Sequence, residues 1–309
     1  MWFTLLVSCL LLAPCIHSVQ WCYQSQYSCE DSCREPSEWD KDFPDCGGQN
    51  QSPINIVTRK ARLNPRLTPI IFEGYTQPLN VSVQNLGNTA VLTLPPSLRI
   101  RGGDLPTTYQ ALQLHLHWGV NDGPGSEHTV DGEQYPMELH IVHIKEQYKT
   151  LKEAMNDTVG VAVLAFFYEV STEENQKFDQ LIQALGRIPY NGNTSNVTEF
   201  QVTDILPSLE KLSSYYRYSG SLTTPGCDEG ILWTVFQQPF SISQQQLVNI
   251  TRQMWFERGK PMVQNFRPVQ KLNGRTVYKS TACSCTSSGP VFLCLCLLCI
   301  LLLIEGIFT

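Results

Sequence analysis

"LQLHLHWG", residues 112–119, sets two imidazoles one residue apart in a stretch that is otherwise apolar. Side chains on a strand alternate faces, so Gln113, His115 and His117 leave one side, and Leu114, Leu116 and Trp118 the other. A second run, "MELHIVHI" from Met137, puts Glu138, His140 and Val142 on one face. The intervening "DGPGSEHTVDGEQYP" carries enough turn residues to reverse the chain. Paired antiparallel, the two strands bring His140 opposite the first pair. Three neutral imidazoles converging on one point, with a fourth position left to water, are the ligand set of a catalytic zinc site.

The distribution of histidine supports this. The chain has six, and all except His17 fall between His115 and His143. His128, and His143 on the face opposite His140, read as satisfied core histidines. The trio does not, because three imidazoles on one buried face without a metal would each need a separate partner. A metal-bound imidazole donates from its other nitrogen, and Gln113 and Glu138, each two residues before a ligand, supply acceptors.

Around these runs, "LNVSVQNL", "TAVLTL", "VGVAVLAFFYEV" and "GILWTVFQQP" read as further strands separated by turn residues. Helical periodicity is confined to about Glu173–Leu185 and Ser243–Phe256. The expectation is a mixed α/β, predominantly β single domain, with a large central twisted, mostly antiparallel sheet and short peripheral helices. No internal repeat, low-complexity tract or Gly/Ser linker divides the body, residues 19–280. A net charge of −6 with no basic run argues against nucleic acid as a partner.

The ends differ from the middle. "WFTLLVSCLLLAPCI", residues 2–16, is followed by small and polar residues and reads as a secretory signal over residues 1–18. "VFLCLCLLCILLLI", residues 291–304, is followed by no Lys or Arg, which a spanning helix normally shows on its cytoplasmic side. The small residues Ser280, Thr281 and Ala282 stand about 8 to 12 polar positions before it, the spacing of a glycosylphosphatidylinositol (GPI) transfer signal. Ser280 is the favoured attachment site and Ser284 the runner-up, with residues 281–309 as the discarded propeptide. An extracellular location on the plasma membrane follows. Asn-x-Ser/Thr triplets at Asn80, Asn156, Asn193, Asn196 and Asn249 agree, while Pro53 directly after the Asn50 triplet makes Asn50 a poor acceptor. Of twelve cysteines, five (Cys22, Cys29, Cys33, Cys46, Cys227) lie in the body, where disulfides are the default. One of the five stays unpaired unless Cys283 survives processing.

"QLHLHWG", "GSEHTVDG", "MELHIVH", "QSPINI" and "GSLTTPG" together resemble an α-class carbonic anhydrase. The match runs from Trp21 to the "NFRP" at Asn265, and the signal, extra cysteines and tail resemble the membrane-anchored type IV and type XV branch. The resemblance implies a ten-stranded twisted sheet, Zn2+ held by His115, His117 and His140, and hydration of carbon dioxide to bicarbonate by zinc hydroxide. Glu127 and Thr223 align with the pair that orients this nucleophile, the threonine giving its proton to the carboxylate. Val142, Val163, Leu222, Ile231 and Trp233 align with the apolar wall that receives carbon dioxide, although all would serve equally as ordinary core. Thr224 and Tyr23 match the polar half, where water is ordered. The branch resemblance pairs Cys46 with Cys227 and Cys22 with Cys29 or Cys33, and makes bicarbonate or proton transporters candidate partners.

One departure bears on rate. Fast members carry a shuttle histidine at the cavity mouth, whose pKa near 6.5 suits proton transfer, where this chain has Asn88 in "QNLGNTAV". Leu86 and Val91 are also apolar where such members are polar. Buffer-dependent proton release is therefore expected. The alternative, a catalytically weak or silent binding module of the same family, is disfavoured because all three histidines and the Thr223/Glu127 pair are present. A structural metal in an adhesion ectodomain would take a fourth protein ligand such as cysteine, and none flanks the trio.

Overall fold

The computed structural model describes residues 21–26, 33–257 and 259–281. The signal segment 1–18, Cys29, Cys283, Ser284 and the apolar tail lie outside them.

Eight strands carry the architecture: β1 (Leu79–Asn85), β2 (Ala90–Thr93), β3 (Tyr109–Trp118), β4 (Met137–Lys145), β5 (Val161–Ser171), β6 (Thr194–Phe200), β7 (Tyr215–Ser221) and β8 (Glu229–Phe236). They lie in one sheet of thirteen strands in the order β6-β1-β2-β3-β4-β5-β8-β7, continued by the short segments Tyr278–Lys279 and Arg62–Leu63. That path has ten strands, the number the resemblance implies. Most pairs are antiparallel; β5 runs parallel to β8, and Tyr278–Lys279 runs parallel to Arg62–Leu63. Each run read as a strand from its alternation or its continuous apolar character is one.

The sheet separates two cores. Leu114, Leu116, Trp118, Leu139, Ile141, Leu164 and Phe166 project to one side, where the two longer helices pack. Val142, Val163, Ile231, Trp233, Tyr218 and Phe167 project to the other, the side of the histidine trio. The centre of β4 is buried on both faces, although one of them carries Glu138 and His140.

The helices are shorter than their periodicity suggests. The first begins as a 3-10 turn at Gln176–Phe178 and becomes an α-helix, α1, only over Asp179–Leu185. Asn175 stays extended because its N–H donates to Gln246 Oε1. The second, α2, spans Gln244–Gln253, opened by a capping box between Ser243 and Gln246. It stops before Phe256 because Met254 turns extended (φ −115°, ψ 151°) and Trp255 donates its N–H to the Pro189 carbonyl. Two disulfides form, Cys46–Cys227 and Cys22–Cys33, which leaves Cys29 outside the Cys22 pair. Among the described residues no helix is long and apolar enough to cross a membrane.

Candidate metal centre

Register assembles the site. His140 on β4 lies opposite His115 on β3, and Glu138 lies opposite His117. Because all four share one face, the three imidazoles meet edge to edge, with ring centroids 4.7 to 5.1 Å apart. His140 Nδ1 lies 3.2 Å from His117 Nε2 and 3.3 Å from His115 Nε2.

Proton bookkeeping decides what these inward nitrogens are. His115 Nδ1 meets Gln113 Oε1 at 2.9 Å, His117 Nδ1 meets the Asn265 carbonyl at 2.7 Å, and His140 Nε2 meets Glu138 Oε1 at 2.6 Å. Each outer nitrogen faces an acceptor and so carries the ring proton. The inner three are then lone pairs pointed at one another without a donor, a repulsive arrangement that a cation resolves. Their spacing matches the edge of a tetrahedron with metal–nitrogen bonds of about 2.0–2.1 Å, an edge of about 3.3–3.4 Å. The residues present therefore fit zinc. Burial, reinforced by the two neighbouring imidazoles, holds His115 well below its ordinary pKa, and burial lowers His117 as well, keeping both neutral and able to ligate.

Behind the trio runs a directional chain of hydrogen bonds. The Ser221 N–H donates to Ser52 Oγ, Ser52 lies 2.8 Å from the Tyr218 hydroxyl, Tyr218 lies 2.6 Å from His128 Nε2, and His128 Nδ1 donates to Glu138 Oε1 at 2.7 Å. Glu138 Oε2 accepts the N–H groups of Glu127 and His128. Burial alone would raise this carboxyl, but His128 and His140, through charge and hydrogen bonds, outweigh it and hold Glu138 well below the usual carboxylate range. His128 is thus a satisfied core histidine, and what it satisfies is the carboxylate that orients His140. His143 is satisfied elsewhere, by the Tyr75 hydroxyl and the Ile141 carbonyl.

Glu127 and Thr223 are both buried, at 1% and 5% exposure. No hydrogen bond joins them here. Glu127 Oε1 accepts the Arg267 N–H at 2.8 Å, whereas Oε2 has no hydrogen-bond partner and lies 3.6 Å from His117 Nε2 and 3.9 Å from His140 Nδ1. A buried carboxylate oxygen without a donor, beside the inner nitrogens of His117 and His140, is a second local feature that suits a cation site.

Val142, Val163, Ile231 and Trp233 form one buried apolar cluster on this face, with Leu222 packed against it. Val142 lies opposite Gln113 and Val163, and Val163 opposite Trp233, so one row of the sheet makes a wall beside the trio. The Trp233 ring stands edge-on to His140 at 4.8 Å, fixed by its indole N–H on the Ser221 carbonyl. Thr224 is half-buried, and its carbonyl accepts the Cys227 N–H. Tyr23 is buried against Trp21 and Trp39, and burial followed by the nearby Glu127 charge pushes its phenol well above the ordinary value. Asn88 is half-buried in the turn between β1 and β2; Leu86 is 46% exposed, and Val91 lies opposite His115. Sequence reasoning gave His117 no acceptor and Glu127 no backbone donor. Asn265 and Arg267 supply them through main-chain atoms, which leave no trace in residue type beyond the "NFRP" motif.

The family model for eukaryotic-type carbonic anhydrase matches residues 34–281. The chain is 41% identical to carbonic anhydrase 4 of Rattus norvegicus over 283 residues, 91% of each chain. It is 38% identical to carbonic anhydrase 15 of Mus musculus over 92% of this chain and 90% of that one. It is 39% identical to carbonic anhydrase 12 of Homo sapiens, covering 82% of this chain and 73% of the relative. With the zinc-ready trio, these likenesses fix the family: the chain belongs to the eukaryotic-type carbonic anhydrases, zinc enzymes that interconvert carbon dioxide and bicarbonate.

Proposed function

We propose that the chain hydrates carbon dioxide reversibly at the extracellular face of the plasma membrane, with turnover limited by proton release to external buffer. The convergence of three donor-free imidazole nitrogens on one point carries the catalytic part of this reading. Zinc held there by His115, His117 and His140 supplies acidified water, with a pKa of about 7 instead of the bulk value.

The protein's own groups do the rest. Gln113, Glu138 and the Asn265 carbonyl hold the ring protons outward and so fix each imidazole's tautomer. Thr223, turning its hydroxyl to the unpartnered Glu127 Oε2, becomes an acceptor toward the cavity and orients the nucleophile by its remaining proton. Val142, Val163, Leu222, Ile231 and Trp233 hold carbon dioxide against an apolar surface and keep water from competing there. Thr224 and Tyr23 border the polar side. At the mouth Asn88 has no titratable group, so the proton leaves on a buffer molecule.

The location rests on the sequence ends: a signal over residues 1–18, a catalytic body over 19–280 and an anchor propeptide over 281–309. Three hydrogen bonds tie Ser280 to Ser213 and Tyr215, so a glycolipid on its carboxyl would sit close to the start of β7. Asn80, Asn156 and Asn196 are exposed, which suits glycan addition, and Asn193 and Asn249 are half-buried. Asn50 is tied by its side-chain amide to Glu229, in keeping with its exclusion. The apolar tail and polybasic-free ends make the membrane and its bicarbonate or proton transporters the surroundings of the reaction.

The test measures zinc content and sulfonamide-sensitive carbon dioxide hydration on the purified protein. One zinc per chain with inhibitable activity is expected. Bound zinc without activity favours the silent module, and purified protein lacking zinc removes the catalytic reading.

A further inference from the structure

Asn265 does more than lend a carbonyl to His117. Pairing between β2 and β3 ends at Val91 opposite His115, so on that side the backbone groups of Leu116 and Trp118 have no strand facing them. The Asn265 carboxamide stands in that gap. Its Oδ1 accepts the Trp118 N–H at 2.7 Å, and its Nδ2 donates to the Leu116 carbonyl at 3.2 Å. An amide that accepts from one residue and donates to the residue two before it reproduces the two bonds that one residue of a parallel neighbouring strand would make. Nδ2 also donates to the Asn88 carbonyl at 3.1 Å. Asn265 is fully buried, and both its amide N–H groups and its carbonyl oxygen are engaged in these contacts.

We infer that Asn265 is a positioning residue whose carboxamide locks the His117 imidazole and the Asn88 turn to one rigid point, coupling zinc geometry to the shape of the cavity mouth. The backbone carbonyl that receives His117 Nδ1–H belongs to the residue whose side chain is clamped to His117's own strand, so ligand and acceptor cannot drift apart. The same amide nitrogen holds Asn88, and Thr89 Oγ1 adds a donor to the same Leu116 carbonyl. The turn that opens on solvent is thereby fixed by the atoms that fix a metal ligand. This rests on the zinc reading above.

The test is Asn265→Asp, nearly isosteric, which still accepts from Trp118 but cannot donate to Leu116 or Asn88. Zinc release to a chelator should become about 10- to 100-fold faster, the usual consequence of disturbing a ligand's outer partner. The visible spectrum of the cobalt-substituted protein should shift, and kcat at low buffer should change by a different factor from kcat/KM. Wild-type rates of zinc release with an unshifted cobalt spectrum, in a variant that is merely less stable, would overturn the inference while leaving the zinc reading intact. A parent that binds no zinc would remove both. Should the variant fail to fold, hydrogen exchange on the unaltered protein decides. The Trp118 N–H should be protected with and without zinc, and its exchange within minutes in the loaded enzyme would refute the clamp.

Discussion

Removing the Cys46–Cys227 bridge tests whether the catalytic loop is braced from outside the sheet. The bridge spans 181 residues of sequence and Cys22–Cys33 spans 11. Taking closure entropy as growing with the logarithm of loop length, the long bridge contributes about 5 kcal/mol and the short one about 3 kcal/mol at 25 °C. Cys227 also ends the turn that begins at Thr224, and Gln51 Nε2 holds its carbonyl at 3.2 Å. Urea unfolding of C46A/C227A, C22A/C33A and the parent, all zinc-loaded, should therefore rank the losses with the first about 2 kcal/mol larger. The urea slope of C46A/C227A should rise because its unfolded chain is more open. Its kcat/KM should fall, since Thr223 loses its nearby tether, whereas C22A/C33A should keep the parent's value. A C46A/C227A variant no less stable than C22A/C33A, with full kcat/KM, would refute both the entropy argument and the brace.

Other outcomes follow from the same geometry. Asn88→His should raise kcat by about tenfold or more in dilute buffer, within the range of general acid–base contributions, and the gain should vanish in concentrated imidazole; stopped-flow rates equal to the parent's in dilute buffer would count against proton release as the limit. His117→Ala should cost zinc affinity beyond the roughly 100-fold that outer partners command and take activity with it, as read by metal analysis beside hydration assays; retained zinc and rate would break the ligand assignment. His143 is buried with its pKa pushed down to about 3. Its unfolded form binds a proton near pH 6.5 that the folded form refuses until about pH 3. Its neutral burial is therefore free of penalty above pH 6.5 and increasingly destabilising below. Between pH 7 and 4.5 the parent should lose about 3 kcal/mol relative to His143→Gln. Parallel urea stability curves for the two would show that His143 titrates normally.

The sheet and the zinc trio were legible because both depend on a period of two. His115 and His117 had to share a face, and a turn-rich loop had to bring His140 back across from them. The helix limits were less legible, since a side chain from another element, Gln246, holds Asn175 out of the first helix, and a main-chain bond from Trp255 ends the second. The parallel β5–β8 pair leaves no local mark, because the β7 strand and long connections intervene. Least legible were contacts made through backbone atoms. Asn265's carbonyl and Arg267's N–H act on His117 and Glu127 from 148 and 140 residues away, and main-chain groups have no letter in a sequence. The Thr223–Glu127 bond illustrates the converse. Family resemblance put the two residues together, yet with Oε1 taken by Arg267 the remaining oxygen stands open.

The late position of Asn265 and Arg267 has a consequence for biosynthesis. A chain emerges from the ribosome amino end first, so the three metal-binding histidines are made well over a hundred residues before the segment that orients one of them and steadies the neighbouring carboxylate. Until that last stretch has been translated and threaded beside β3, the nascent enzyme has ligands without a finished socket. Any zinc taken up before then would be held without the Asn265 carbonyl on His117, and lacking such an outer partner costs about 10- to 100-fold in metal affinity.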